Sequence, residues 1–274
     1  MAELITYREA VARAIAQEMR RDESVVFLGE DIAAAGGVFK ATKGLLEEFG
    51  STRVRDTPIS EEAILGAALG ASMSGIRPIA EIMFSDFLAT CWDLVAVEIA
   101  KTRYMTAGQV SLPLVIRTAN GGGLRFGAQH SQAVENWAMM VPGLKVVAPS
   151  TPADVIGLAA MVPRALEAAD QLEKTYQISA EVIDVRSLVP LDTRTILESV
   201  SRTTRLVTVE ENPRLCGWGA EIVSIVAEEA FWNLDAPITR ITTPHVPLPS
   251  ADTLEDSVLP SVARITETVV KLLG

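Results

Sequence analysis

Short apolar runs alternate with segments of helical periodicity along this chain, and this alternation constrains the fold more than any other feature. Residues 25–28 are Val-Val-Phe-Leu, followed by Gly-Glu-Asp, which is the pattern of a strand buried on both faces that ends in a loop. Strands that alternate with helices pair in parallel, because the helix supplies the long crossover. The first half of the chain therefore predicts a doubly wound α/β domain with its sites at the carboxyl ends of the strands.

The elements predicted in the first half follow from capping and from apolar spacing. Thr6 and Glu9 form a capping box at the start of the first helix, which carries Val11, Ile15 and Met19 at helical spacing. Further helices are predicted at residues 40–49, 61–74, 86–104 and 132–140, and strands near residue 54 and at 79–82, 114–116 and 146–148.

The second half predicts a smaller sheet. Three strands leave the edges and faces of a parallel sheet hard to cover, so this half either packs against a partner or lacks a segment. The predicted helices are residues 163–176, 219–234 and 254–273, and the predicted strands are 182–185, 206–209 and 238–241.

Charge and composition exclude several classes of function. The chain has 24 Lys and Arg against 35 Asp and Glu, and a net charge of −11 disfavours binding to nucleic acid or to an anionic membrane. Two cysteines and two histidines, all scattered, predict neither a disulfide scaffold nor a metal site. The first residues lack the apolar stretch of a signal peptide, and no apolar run approaches the length of a membrane span, so we expect a cytoplasmic protein.

Two candidate sites have both a structural and a functional explanation. Ser60 is a natural N-cap that places Glu61 and Glu62 in the first turn of a helix, where the helix dipole alone favours carboxylates. A catalytic role for this pair is the alternative. Met83 and Phe87 lie between a strand and a helix, either as core residues or against a flat ligand.

The glycine-rich segment 121–131 predicts a loop that carries His130. This segment has neither the lysine of a P-loop nor the spacing of a dinucleotide fingerprint, and the chain has no G-x-S-x-G motif. His130 is therefore either a functional residue on a mobile loop or an ordinary exposed histidine, and the two explanations are equally compatible with the residues alone.

Seven short motifs follow one another along the chain. They are residues 28–31 (LGED), 36–39 (GGVF), 55–61 (RDTPISE), 77–81 (RPIAE), 127–132 (GAQHSQ), 142–147 (PGLKVV) and 185–192 (VRSLVPLD). Taken together and in this order, these motifs resemble the beta subunit of the thiamine-diphosphate-dependent 2-oxo acid dehydrogenases. The resemblance covers nearly the whole chain, and it is greatest for the acetoin branch, with the pyruvate enzymes close behind.

The resemblance implies a fold and a set of site residues. The fold is a transketolase-like pyrimidine-binding domain in residues 1–160 followed by a transketolase C-terminal domain in residues 161–274, each with a doubly wound parallel sheet. Glu61 would hydrogen-bond the aminopyrimidine ring and activate the cofactor, and His130 would act in acyl transfer to a lipoyl arm. The implied cofactor-binding residues are Glu30, Ile59, Glu61, Met83 and Phe87.

The resemblance also implies partners. An alpha subunit would complete an α2β2 heterotetramer and hold the diphosphate and Mg²⁺, since the GDG motif for that site is absent from this chain. A lipoyl acyltransferase would receive the acyl group. The implied substrate is a small 2-oxo acid or acetoin, and the sequence leaves acetoin, pyruvate and branched-chain substrates open.

The chain departs from the family at one place. Between residues 152–158 and 161–166 the family has several tens more residues, which contain the last strand of the first domain, the interdomain linker and the first strand of the second domain. This shortening keeps a second hypothesis open, in which the chain is a non-catalytic α/β interaction module or an inactive deletion remnant. A transketolase-type sugar enzyme is a third alternative, less favoured because such enzymes usually carry the diphosphate-binding domain on the same chain.

Overall fold

The computed structural model describes residues 5–149, 152 and 161–273, which form two compact units. The first unit comprises residues 5–119, 137–145, 149 and 152, and the second comprises 120–136, 146–148 and 161–273. Residue 160, the last residue of the predicted first domain, lies outside the described residues, as do residues 153–158 of the shortened junction. The glycine-rich segment with His130 belongs to the second unit.

The first unit is built on a sheet of four parallel strands in the order β2-β1-β3-β4. Its α-helices are α1 (Tyr7–Arg21), α2 (Leu45–Phe49), α3 (Glu61–Met73) and α4 (Ala100–Met105). Its strands are β1 (Val25–Gly29), β2 (Val54–Asp56), β3 (Arg77–Phe84) and β4 (Val115–Ala119). The short helix α5 (Glu135–Met139) follows these elements in the chain.

Helix α1 shows how the sequence produces this packing. The capping box is present: the Glu9 N–H donates to the Thr6 hydroxyl, and the Thr6 N–H donates to the Glu9 carboxylate at 2.7 Å. One face of the helix then buries Val11, Ile15 and Met19 in a cluster with Phe27 of β1. The first helix and the first strand are thus confirmed where the sequence predicts them.

Two helices of the first half differ strongly from their predicted extents, and α5 begins at Glu135, later than the predicted 132. The helix predicted from residue 40 begins at Leu45, because Lys40 and Gly44 have φ values of 57° and 91°, outside the helical region. The helix predicted over 86–104 is three consecutive segments: a 3₁₀ helix (Ser85–Cys91), a π-helical turn (Leu94–Ile99) and α4. The Thr90 hydroxyl donates to the Phe87 carbonyl at 2.8 Å, a local bond that competes with regular α-helix.

The second unit has two small sheets, since β7 pairs with β8 in parallel and β5 pairs with β6 in antiparallel. Its strands are β5 (Val146–Val147), β6 (Ser187–Val189), β7 (Val207–Pro213) and β8 (Thr239–Thr243). Its helices are α6 (Met161–Gln171), α7 (Thr193–Thr203), α8 (Gly219–Glu229), α9 (Asp252–Val258) and α10 (Val262–Leu273).

Two predictions for the second half need correction, and one helix was missed. Residues 182–185 form no strand, and the strand begins instead at Ser187, where β5 supplies a hydrogen-bonding partner. The helix predicted over 254–273 is divided into α9 and α10, because Pro260 forces the preceding Leu259 into an extended conformation with a ψ of 147°. The amphipathic helix α7, which packs Ile196 and Val200 against α8, was not predicted.

Within residues 5–149, 152 and 161–273, no helix combines the length and the apolar character that crossing a bilayer requires.

Candidate functional site

The carboxyl edge of the four-stranded sheet gathers most of the predicted site residues. Glu30 follows β1, Ile59 follows β2, Met83 lies near the end of β3, and Phe87 lies in the 3₁₀ helix that succeeds it. Because β2, β1 and β3 are adjacent and parallel, their carboxyl ends meet at one edge. The topology of the first unit therefore brings these four residues to the same edge as the start of α3, which carries Glu61.

Glu61 is the first residue of α3, and its carboxylate is available to a ligand. Ser60 occupies the N-cap position, but its side chain makes no capping hydrogen bond, so the predicted cap is wrong in this respect. In the part of the chain that the structure describes, no hydrogen bond reaches the Glu61 carboxylate. Glu61 also lies at the positive end of the α3 helix dipole.

A second carboxylate lies close enough to Glu61 to interact with it electrostatically. Burial raises the pKa of Glu30, and the negative charges of Asp31 and Glu61 raise it further. Burial, together with the charge of Glu61, also raises the pKa of the Cys91 thiol to about 11. The field around Glu61 is therefore negative, and a hydrogen-bond donor would be stabilised there.

Apolar side chains adjoin these carboxylates. The ring of Phe87 packs edge-to-face on Phe84 with 5.7 Å between centroids, and both Phe87 and Met83 are partly exposed. Ile59 is 76% exposed, which leaves a large apolar side chain in contact with solvent at this edge. Carboxylates beside an open apolar surface suit a planar heterocycle that also donates a hydrogen bond.

Sequence analysis missed the ion pair beneath this edge. Glu81 of β3 and Arg117 of β4 are both almost completely buried, and the guanidinium donates to the carboxylate. A buried charge is tolerated only when it is paired, so these residues fix the register between the two strands. The signal available in the sequence was a glutamate within an otherwise apolar strand.

His130 belongs to the second unit, whereas Glu61 belongs to the first. The His130 ring is half-exposed and lies 6.4 Å from the ring of Phe126, and its backbone N–H donates to the Gly127 carbonyl at 3.3 Å. This tight turn presents the imidazole on a glycine-rich loop, where it can exchange a proton with a ligand.

Two further glutamates, which the sequence analysis also missed, contact this loop. The backbone N–H of Gly122 donates to Glu211, and that of Gly123 donates to Glu255. Burial raises the pKa of Glu211 to about 7, although the hydrogen bond from Gly122 opposes this shift. The signal in the sequence was the adjacent pair Glu210 and Glu211, which directly follows the predicted strand 206–209.

The side chains that could ligate a metal ion do not share a site among the described residues. Across the described ranges, no group of three or more His, Cys, Asp or Glu side chains is arranged to hold a metal ion.

Two family profiles match the chain. "Transketolase, pyrimidine binding domain" matches residues 3–170, and "Transketolase, C-terminal domain" matches residues 144–265. A solved structure described as "Split gene transketolase, inactive beta4 tetramer" superposes with a TM-score of 0.78 at 22% identity and covers 99% of each chain. The two-domain, transketolase-like fold with parallel sheets is thereby confirmed.

Curated relatives extend the similarity to whole subunits. The acetoin:2,6-dichlorophenolindophenol oxidoreductase subunit beta of Bacillus subtilis is 40% identical over 339 residues, with 100% of this chain and 98% of the relative covered. The pyruvate dehydrogenase E1 component subunit beta of Rickettsia felis is 40% identical over 320 residues, with 98% of each chain covered. These names favour an enzyme subunit over a non-catalytic interaction module.

This chain is also shorter than the Bacillus relative. The alignment with the Bacillus relative has 339 positions and this chain has 274 residues, so at least 65 positions are occupied by the relative alone. Both transketolase profiles cover residues 144–170, where two domains would ordinarily occupy separate residues. Even so, the identity across almost the full length of these relatives shows that the chain belongs to the transketolase-like, thiamine-diphosphate-dependent beta subunits of the acetoin and pyruvate dehydrogenases.

Proposed function

We propose that the carboxyl edge of the four-stranded sheet binds the aminopyrimidine ring of thiamine diphosphate and that Glu61 is the residue that activates this cofactor. The observation that carries the proposal is the carboxylate of Glu61 at the start of α3, free of hydrogen bonds within the described residues and next to an apolar surface. Thiamine diphosphate supplies a nucleophilic carbon that attacks a carbonyl group.

Glu61 acts on the ring through one hydrogen bond. With the cofactor bound, the Glu61 carboxylate would accept a hydrogen bond from a protonated ring nitrogen and keep the proton there, which would favour the imino tautomer and make the exocyclic nitrogen basic enough to remove a proton. Glu30 lies close enough to Glu61 to interact with it electrostatically, and a negative charge on Glu30 would also stabilise a proton on the ring nitrogen.

The apolar residues orient the ring and exclude water. Phe87 and Met83 offer a partly exposed surface on one side of the edge, and the exposed Ile59 offers another. Burial of these side chains against a planar ring would contribute about 25 cal/mol for each Å² of apolar surface removed from water. The residues present therefore fit the pyrimidine end of the cofactor.

An alpha subunit is needed to complete the site. The chain lacks the family's diphosphate-binding motif, so we assign the diphosphate and Mg²⁺ to the alpha subunit of an α2β2 assembly.

The two domains proposed for this chain are residues 1–160 and 161–274. The cytoplasmic location expected from the sequence stays a prediction.

His130 is assigned to the second half of the reaction, in which the acyl group passes to the lipoyl arm of an acyltransferase component. The lipoyl arm would arrive as a disulfide, which is the oxidant of this step, and the partly exposed imidazole of His130 would donate a proton to the thiolate that is released when the S–S bond opens. The substrate is a small 2-oxo acid or acetoin, since relatives named for acetoin and for pyruvate are equally similar to this chain.

The test compares two glutamates of the same helical turn. The chain is assembled with the alpha subunit of an acetoin or pyruvate dehydrogenase, and thiamine-dependent reduction of a dye acceptor is measured for Glu61→Gln and for Glu62→Gln. We expect Glu61→Gln to lower turnover at least 100-fold and to weaken cofactor binding measured by calorimetry. Glu62 is exposed and serves as the matched control, with turnover within twofold of the unaltered protein. Undiminished turnover of Glu61→Gln would remove Glu61 from this role.

A further inference from the structure

We propose that Glu211 and Glu255 are positioning residues for His130, because they hold the base of its loop through backbone N–H groups. This inference rests on the role proposed above for His130. It assigns a function to carboxylates that neither the fold nor the cofactor chemistry requires, and all the contacts that support it lie within the second unit.

The first step is the geometry of two successive amides. The Gly122 N–H donates to Oε2 of Glu211 at 2.9 Å, and the Gly123 N–H donates to Oε1 of Glu255 at 2.8 Å. Successive N–H groups that point to one side form a concave site for negative charge. Glu211 lies in β7 and Glu255 in α9, so the loop is tied to two elements.

The second step is the closeness of this approach. Gly121 has a φ of 89°, and a Cβ atom at this position would lie 2.4 Å from Oε2 of Glu211. A Cβ atom on Gly122 would lie 3.1 Å from Oε1 of Glu255. Gly121 and Gly122 are therefore explained by contact with the two carboxylates and need no phosphate group to account for them.

The third step is the compensation of charge at Glu255. This side chain is completely buried, and Arg125 donates to it. Arg125 also donates to Asp256 at 2.8 Å, so the guanidinium joins the loop to the α9 helix a second time. A buried carboxylate with a cation and an amide as partners is held firmly, because loss of either partner would leave charge uncompensated.

The fourth step is the return of the chain after His130. The Gly121 N–H donates to the Gln132 carbonyl at 3.0 Å, which closes the loop at its base. The Asn212 side chain, next to Glu211, donates to the Ala133 carbonyl at 2.8 Å. The segment that carries His130 is therefore held on both sides, at Gly122 and at Ala133, by hydrogen bonds to residues at the end of β7. A shift of Glu211 would move the imidazole.

The protonation of Glu211 changes near neutral pH, so its role can be tested through the pH dependence of the reaction. Its Oε1 is sealed from solvent and has no partner within the described residues, and its pKa of about 7 makes its charge change near neutral pH. The charged groups that act on it are Glu135 and Glu255, which raise its pKa, and Arg164, which lowers it. Loop position should therefore follow the protonation of Glu211.

The experiment uses the assembled enzyme and measures acylation of a lipoyl domain separately from dye reduction. We expect Glu211→Ala to lower the rate of lipoyl acylation at least tenfold while thiamine diphosphate affinity stays within twofold. Glu211→Gln keeps an acceptor for the Gly122 N–H and should recover most of the rate, but with the pH dependence near pH 7 removed. Glu228→Ala, a change of an exposed carboxylate on α8, is the matched control.

A second measurement needs no activity. Hydrogen–deuterium exchange of the peptide that spans residues 121–131 should become at least tenfold faster in Glu211→Ala and in Glu255→Gln, with Glu228→Ala unchanged. Unaltered exchange in both variants overturns the inference. Should Glu211→Ala fail to fold, the pH profile of Glu211→Gln still decides, because a profile identical to that of the unaltered enzyme contradicts it.

The test separates this inference from the proposed function. If His130→Ala leaves lipoyl acylation unchanged, the assignment of His130 is wrong, and with it the reason for positioning that residue. If His130→Ala impairs acylation but the Glu211 and Glu255 variants do not, the assignment of His130 stands and the positioning role is wrong.

Discussion

At the scale of single residues, two neighbouring glutamates of β7 show how strongly environment determines charge. Glu210 is buried and has Arg240 at 2.6 Å and the Gly219 N–H at 2.9 Å as partners. Glu211 accepts only the Gly122 N–H, and one of its oxygens is sealed from solvent without a partner in the described residues. Glu210 therefore has a cation and an amide as partners, whereas burial raises the pKa of Glu211 to about 7.

The raised pKa of Glu211 predicts a stability that depends on pH. Its pKa rises from the ordinary 4.5 to about 7 in the folded chain, so the stability it contributes is complete below pH 4.5 and is lost as the pH rises through 7. Glu211→Gln removes this loss and should raise the free energy of unfolding by up to about 3 kcal/mol at pH 8, with little gain at pH 4.5.

Urea unfolding of both proteins across this pH range provides the measurement. Glu228→Gln is the control, because Glu228 is exposed on α8 and its replacement should leave the pH profile unchanged. A difference between Glu211→Gln and the unaltered chain that is the same at every pH would show that Glu211 does not titrate in this range.

At the scale of elements, the close contact between Gly143 and α4 gives a second prediction. Gly143 has a φ of 106°, and a Cβ atom there would lie 2.0 Å from the carbonyl oxygen of Ala100. Gly143→Ala therefore requires both a left-handed alanine and a displacement of the helix backbone, at a cost of about 3 kcal/mol.

The control for this substitution is another glycine of the same unit. Gly70 lies within α3, and a Cβ atom added there would have no neighbouring atom within 4 Å, so Gly70→Ala should increase stability by up to about 1 kcal/mol. Thermal unfolding of both variants gives the comparison, and equal melting temperatures would mean that the Gly143 contact is not formed in solution.

Elements defined by local signals were predictable, and those defined by distant partners were not. The capping box of Thr6 and Glu9 fixes the start of α1 within the chain itself. The strand predicted at 182–185 had suitable apolar residues, but strand formation depends on a neighbour, and the neighbour pairs with Ser187 and Val189 instead. The break at Pro260 was readable from the sequence and was missed.

At the scale of the whole molecule, the candidate site was predictable where topology alone creates it. Because the strands are parallel, Glu30, Ile59 and Met83 lie at one edge of the sheet, and this placement does not depend on their side-chain contacts. The support of the His130 loop was not predictable, since Glu211 is 89 residues from Gly122 in the chain and Glu255 is 132 residues from Gly123. Contacts of this kind follow from tertiary packing, which leaves no periodic trace in the sequence.

The shortened junction leads to the last prediction. In the part of the chain that the structure describes, β7 and β8 pair only with each other, and a two-stranded parallel sheet is marginal because parallel strands normally have neighbours and covered faces. The Bacillus relative has at least 65 further positions. Insertion of the Bacillus relative's junction segment between residues 158 and 161 should supply strands that cover these edges and raise the urea midpoint of the second unit.

An insertion of the same length made of glycine and serine is the matched control, because it lengthens the chain without providing strands. We expect the relative's segment, and not the control, to raise the midpoint and to suppress concentration-dependent light scattering, which exposed strand edges promote. Equal midpoints for the two insertions would mean that the second unit is already complete, and that the missing positions lie where they do not contribute to its sheet.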